Sequence, residues 1–249
     1  MMIHSSAVVD AAAQIGEAVK IGAFAVVGAA NLGDGVILHP HVVIADGVTI
    51  GRGCEIFPGA VIGREPKGAG ATARQPVFRK FVEIGAECSI GPHAVIYYDV
   101  TIGTNTLIGD GASIREGCSV GNRCLISRFV TINYDTIVGN RTKVMDGTHL
   151  TGRMIVGEDV FISVLVGSMN DNAIGREGFG SHVAGPHIHD RAVIGGGAML
   201  LPGVVIGCEA IVASGSVVSK SVPAGGSVAG VPARSFVRAT SVASPEPSI

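Results

Sequence analysis

Residues 109–152 read GDGASIREGCSVGNRCLISRFVTINYDTIVGNRTKVMDGTHLTG. Ile114, Val120, Ile126, Ile132, Val138, Val144 and Leu150 stand at every sixth position. Four residues after an aliphatic comes a small or β-branched side chain: Cys118, Cys124, Val130, Thr136, Thr142 and Thr148, with Met154 as the exception. An α-helix turns every ~3.6 residues and cannot keep such a period on one face, and a plain strand alternates every two. A short strand plus a corner fits, with one aliphatic and one small side chain pointing inward per unit. Stacked units then bury a continuous column, their strands ~4.8 Å apart along the axis.

The same phase extends outward from this stretch. It runs without a failed step from Ile84 to Ile162, and it covers Ile3 to Val27, Leu38 to Ile62 and Ile188 to Val218. Gly follows the aliphatic at 85, 91, 103, 109, 121, 139 and 157, which suggests a corner role needing positive φ. The phase breaks three times. Between Val27 and Leu38 it is one residue short of two units, which predicts a corner adjustment. The segment 64–83, with Pro, Gly, five Lys or Arg and two Phe, and the Gly-rich segment 167–187 read as protruding loops.

Composition agrees with such a core. Hydrophobic residues make up 47% of the 249, aromatics 4%, and Trp is absent, so the interior is built from small aliphatics. The net charge of −2 supplies no general field for nucleic acid or an anionic membrane. The longest apolar run, 192–208, is broken by Gly and Pro and too short to span a bilayer. The first residues show no signal-peptide pattern, so a cytoplasmic location is expected. Cys54, Cys88, Cys118 and Cys124 occupy the small inward slot and are expected to be packed, reduced thiols; Cys208 lies outside it.

This pattern, over about residues 3–234, resembles the hexapeptide-repeat acyltransferases. The resemblance implies an all-β fold: a left-handed parallel β-helix with three units per coil, forming a single domain over 1–234. The segment 235–249 is expected to be a disordered tail. The ending, Gly215–Pro223 followed by Gly230–Arg234, resembles the close of CoA-dependent acetyltransferases of this group. The family implies a homotrimer with active sites in the grooves between subunits.

His149 is the leading candidate base, because its place beside inward Leu150 turns it outward and imidazole suits proton transfer near neutrality. Asp146, three residues earlier, is a candidate to orient it. Residues 18 apart stack on adjacent coils if three units make a turn. That rule places Asn133 below Thr151 and near His149, Asp135 near Arg153, and Arg128 near Asp146. Asn170 and Asp171, in MNDN (169–172), resemble a segment of sugar N-acetyltransferases and are candidates to bind the acceptor with Asp135. Lys220 and Arg234 are candidates for the CoA phosphates. His182, His187 and His189 raise a zinc question, but the spacing found in hexapeptide-repeat carbonic anhydrases is met only by His182 and His187, in a loop, and no metal is expected.

The first functional expectation is acetyl transfer from acetyl-CoA to the amino group of a nucleotide-linked sugar. An alternative is sugar O-acylation from an acyl carrier protein, as in the enzymes that begin lipid A synthesis; the basic loop 64–83 resembles theirs, although their helical ending is not seen. A non-catalytic β-solenoid scaffold is the third.

Overall fold

The computed structural model describes residues 1–237. Short strands, most of two residues, wind as a left-handed parallel β-helix with three faces. The first face has 13 strands, beginning with Met2–Ile3. The second has eight, from Val8–Val9 to His149–Leu150, and is continued by a separate run of three from Gly167–Ser168. The third has ten, from Gln14–Ile15 to Val205–Ile206. Registers follow the spacing of 18: Ser113 pairs with Thr131, Thr131 with His149, and Ile137 with Ile155.

Every aliphatic of the phase between Ile84 and Ile162 is buried, as is every small-slot residue from Cys88 to Val160. At the N-terminal end Ile3 is exposed, because no coil lies below it. The short step resolves in the corner 28–30, where Leu32 takes the inward place and Ile15 pairs with it 17 residues on. The loops are slightly narrower than expected, since strands Val82–Ile84 and His187–Ile188 have already resumed the coil. At the C-terminal end, Arg234–Ser235 turns back antiparallel to Ser227–Ala229 and covers the last coil, so Ser235 belongs to the folded body. Most of the expected tail, 238–249, lies outside the described residues.

The inward polar residues have a specific role. Thr142 Oγ1 donates to Gly157 O (2.8 Å) and accepts from Val160 N (3.2 Å), tying one corner to the next coil. Thr106, Thr136 and Thr148 repeat this exchange. Cys118 and Cys124 use their thiols the same way, toward Asn133 O (3.0 Å) and Gly139 O (3.2 Å). The four slot cysteines are buried and unbridged, and Cys208 is only partly covered.

The glycine expectation needs correcting. Gly85 is not in the left-handed region; a Cβ there would meet Thr104 N at 2.7 Å, so the small residue is needed because the next coil passes so close. The positive φ falls two residues later, and is mostly borne by non-glycines such as Glu87, Asn105, Arg123 and Arg141, at 55–58°. This costs each residue roughly 1 kcal/mol. The turn aims its N–H at the coil below, as in Arg141 N to Asn122 O (2.8 Å) and Asn105 N to Ala86 O (2.9 Å), which offsets the strain.

Replacing Thr142 with Val preserves shape but leaves the Gly157 carbonyl and the Val160 amide unpaired. A loss of about 1–3 kcal/mol in urea unfolding is expected, with Thr142→Ser retaining most of the stability.

Candidate active site

On the second face the outward column changes character as it climbs. Val43, Val61 and Val95 give way to Ser113, Thr131 and His149. Strand alternation fixes this, since Ile114, Ile132 and Leu150 point inward. At the adjoining corner, Tyr97, Arg115 and Asn133 follow one another at the same spacing of 18. These six residues and Ile132 line a concavity of about 380 Å³. A larger hollow of about 490 Å³ lies over the apolar first coils, between Met2, Lys20, Ile37 and Leu38. It carries less chemistry, because its floor is strand aliphatics rather than converging polar groups.

His149 is half-buried, and its Nδ1 lies 2.7 Å from Thr131 Oγ1. No hydrogen bond from the described residues reaches its Nε2. Burial pushes its pKa below the ordinary 6.5, so the ring is neutral at pH 7. In the tautomer that donates Nδ1–H to Thr131, the Nε2 lone pair is available to a proton. Directly above, the sheet ladder is interrupted. Ser168 stands where an aliphatic belongs; its hydroxyl accepts from Thr151 N (2.9 Å) and donates to His149 O (2.8 Å). The second loop departs from this break.

Asp146 does not orient His149. It bonds Ser127 and Arg128, the latter at 2.6 Å, and those contacts, with Ser127 first, hold its carboxyl below the usual range. The stacking of Arg128 with Asp146 is thus as expected, but the side chain that meets His149 is the Thr131 hydroxyl. Asp135 does not meet Arg153 either, since it faces Arg74 at 3.7 Å. Arg153 instead donates to Gly180 O (3.1 Å) and Val183 O (3.0 Å), and lies 4.5 Å from the Phe179 ring.

The two loops meet over this corner. Arg74, from the first, sits 4.0 Å above the Tyr134 ring. Asn170, from the second, donates to Tyr134 Oη (3.2 Å) and Gly152 O (3.0 Å). Asp171 accepts from Gly175 N (2.6 Å) and Ala173 N (2.7 Å), bonds that hold its pKa down, so it shapes its own loop. Between the loops remains a hollow of about 190 Å³, bordered by Arg74, Tyr134, Asn170, Asp171 and Phe179. Lys220 and Arg234 are exposed, and neither lines either space.

Arg115, Glu116, Tyr97, Arg74 and Tyr134 went unnoticed in the sequence. The spacing of 18 that located Asn133 also places Arg115 and Tyr97 beneath it. Nothing in the repeat could place Arg74, which arrives from a loop. Among the described residues no group of three His, Cys, Asp or Glu is arranged to hold a metal ion. His187 and His189 stack at 4.2 Å on the third face, and His182 lies 3.9 Å from Asp171. Among the described residues no helix is long and apolar enough to cross a membrane.

Known proteins agree with this architecture. Profiles described as bacterial transferase hexapeptide (six repeats), hexapeptide repeat of succinyl-transferase, and GMPPB C-terminal domain match residues 29–64, 187–220 and 78–169. The chain is 37% identical over 109 residues to an acyl-[acyl-carrier-protein]–UDP-N-acetylglucosamine O-acyltransferase of Mesorhizobium japonicum, covering 43% of this chain and 36% of that one. It is 47% identical over 55 residues to a 2,3,4,5-tetrahydropyridine-2,6-dicarboxylate N-acetyltransferase of Staphylococcus aureus, covering 22% and 23%. The crystal structure of Arabidopsis UDP-N-acetylglucosamine acyltransferase superposes with a TM-score of 0.58 at 20% identity, over 94% of this chain and 73% of that one. The sequence matches therefore span well under half of these curated relatives. This chain carries hexapeptide repeats and the left-handed β-helix fold, and the curated relatives that it matches in part are acyltransferases.

The depressed pKa of His149 has a thermodynamic sign. Below 6.5 the unfolded chain holds more of this proton than the folded one. Its contribution to stability is therefore present above 6.5 and lost as pH falls. An NMR titration of the His149 ring should show a midpoint below 6.5, and a midpoint above it would contradict the buried, neutral ring.

Proposed function

We propose that the chain transfers an acyl group from a thioester donor to a hydroxyl of a nucleotide-linked sugar, with His149 as general base. The observation that carries this is His149 in the concavity, tethered through Nδ1 to Thr131 with no hydrogen bond from the described residues at Nε2 and with its pKa lowered by burial. In the step, the acceptor oxygen attacks the thioester carbonyl while Nε2 takes its proton. The tetrahedral intermediate then expels the thiolate, the C–S bond breaks, and the imidazolium returns the proton to sulfur. Asn133, on the same wall, is available to position the acceptor. A sugar hydroxyl and an acyl-carrier donor are favoured by the likeness to the Mesorhizobium acyl-[acyl-carrier-protein]–UDP-N-acetylglucosamine O-acyltransferase.

A second reading, N-acetyl transfer from acetyl-CoA, is supported by the Staphylococcus relative and by MNDN. A neutral His serves a hydroxyl or an amine equally. The homotrimer stays an inference from the resemblance; in it the open side of the concavity would face another copy.

Transfer should be measured from a long-chain acyl carrier protein and from acetyl-CoA, to UDP-N-acetylglucosamine and to UDP- and dTDP-amino sugars. His149→Ala should lower the rate by roughly 10²–10⁴-fold. For wild type, kcat/KM should fall on the acid side with a midpoint below 6.5. A fully active His149→Ala enzyme removes the base from the scheme, and acetyl-CoA with an amino sugar as the productive pair selects the second reading.

A further inference from the structure

Beside His149, the concavity has a basic wall that the proton transfer does not use. Arg115 reaches Glu116 through two nitrogens, Nε to Oε2 (2.8 Å) and Nη2 to Oε1 (3.2 Å). Its Cζ lies 5.0 Å from the Tyr97 ring centroid. Arg64 approaches the same ring at 4.8 Å and bonds the Tyr97 hydroxyl. Glu116 is wholly buried and is also gripped by Arg74 Nη1 at 2.5 Å, from the first loop. Burial alone would raise the Glu116 pKa, but hydrogen bonds from Arg115 and Arg74 outweigh it and the net direction is down, so it stays charged.

The charges do not balance. Arg64, Arg74 and Arg115 face only Glu116 and, more distantly, Asp135; Arg64 meets no carboxylate among the described residues. Glu116 occupies one edge of the Arg115 fork, Nη1 has no hydrogen bond among the described residues, and the side chain, about one-third exposed, lines the concavity. A fork held from behind by a buried carboxylate is pre-organised for a second, planar-recognised anion in front, and phosphate oxygens suit that geometry.

We propose that Arg115, held by Glu116 and supported by Arg64 across Tyr97, is the phosphate-binding group of this site, and that Arg74 locks it by clamping Glu116. This rests on the acyl-transfer reading and names the part of the substrate this wall recognises. The phosphate has two possible sources, the diphosphate of a nucleotide-linked acceptor or the phosphopantetheine of the donor. Arg115 binds; Glu116 and Arg74 are positioning residues.

The test is equilibrium calorimetry on the intact chain with UDP, uridine, 4′-phosphopantetheine and pantetheine as separate probes, so turnover is not needed. Wild type should bind a phosphorylated probe more tightly than its phosphate-free counterpart. Arg115→Ala should weaken that probe by roughly tenfold or more, and Arg115→Lys should recover only part, because the fork is lost. Loss confined to UDP assigns the acceptor diphosphate, and loss confined to 4′-phosphopantetheine assigns the donor. Arg74→Ala, in an exposed loop and less apt to disturb the coil than a change at Glu116, should weaken the same probe with a smaller effect than Arg115→Ala. Unchanged affinity for both phosphorylated probes in Arg115→Ala, or no preference of wild type for phosphate, overturns the proposal. An inactive wild type that still shows the Arg115-dependent preference would discard the acyl-transfer reading and keep the anion site.

Discussion

Each coil can exist only because the next one completes it. A strand of two residues has no stability of its own; its N–H groups donate to carbonyls on the coil above, as Thr131 N does to Thr148 O (3.0 Å). The inward aliphatics close the same contact by dispersion and burial, and the inward Thr and Cys link strand to corner where an aliphatic alone would leave a carbonyl unpaired. The corner residues send their N–H the opposite way, to the coil below. Adjacent coils are thus bonded in both directions, and a left-handed φ is tolerated on Arg, Asn and Glu side chains for the sake of that second set.

Such a stack offers flat outer faces, so any concavity must be made by exceptions to the repeat. The second face supplies them at one height. Outward Val is replaced by Ser113, Thr131 and His149, the inward aliphatic is replaced by Ser168, and the regular ladder stops where the second loop leaves. The first loop reaches the same corner and inserts Arg74 between Tyr134 and buried Glu116. Polar groups that would be costly alone are mutually satisfied here, and among the described residues no buried side-chain nitrogen or oxygen lacks a partner. The rigid coil positions His149 and Arg115, while the loops enclose the smaller hollow over the adjacent corner.

Periodicity made the column of Ile, Val and Leu legible, and the same arithmetic paired Arg128 with Asp146. It failed where a side chain had a choice of partners. Asp146 lies three residues from His149 in sequence, yet the stack offers it Arg128 and Ser127 directly below. Asp135 and Arg153 are one coil apart, yet each is claimed by a loop, Asp135 facing Arg74 and Arg153 the Phe179–Val183 segment. Gly85 looked like a residue chosen for its φ and turned out to be chosen for the closeness of Thr104.

By itself, then, the sequence determined the coil: its period and its inward and outward sides. Those follow from the spacing of apolar side chains, a one-dimensional property. Only the tertiary structure decided that Arg74 of a loop and Arg115 of a coil share Glu116, and that His149 leans on Thr131 rather than Asp146. The physical reason is that loop docking and charge pairing depend on distances across the stack that no repeat period encodes.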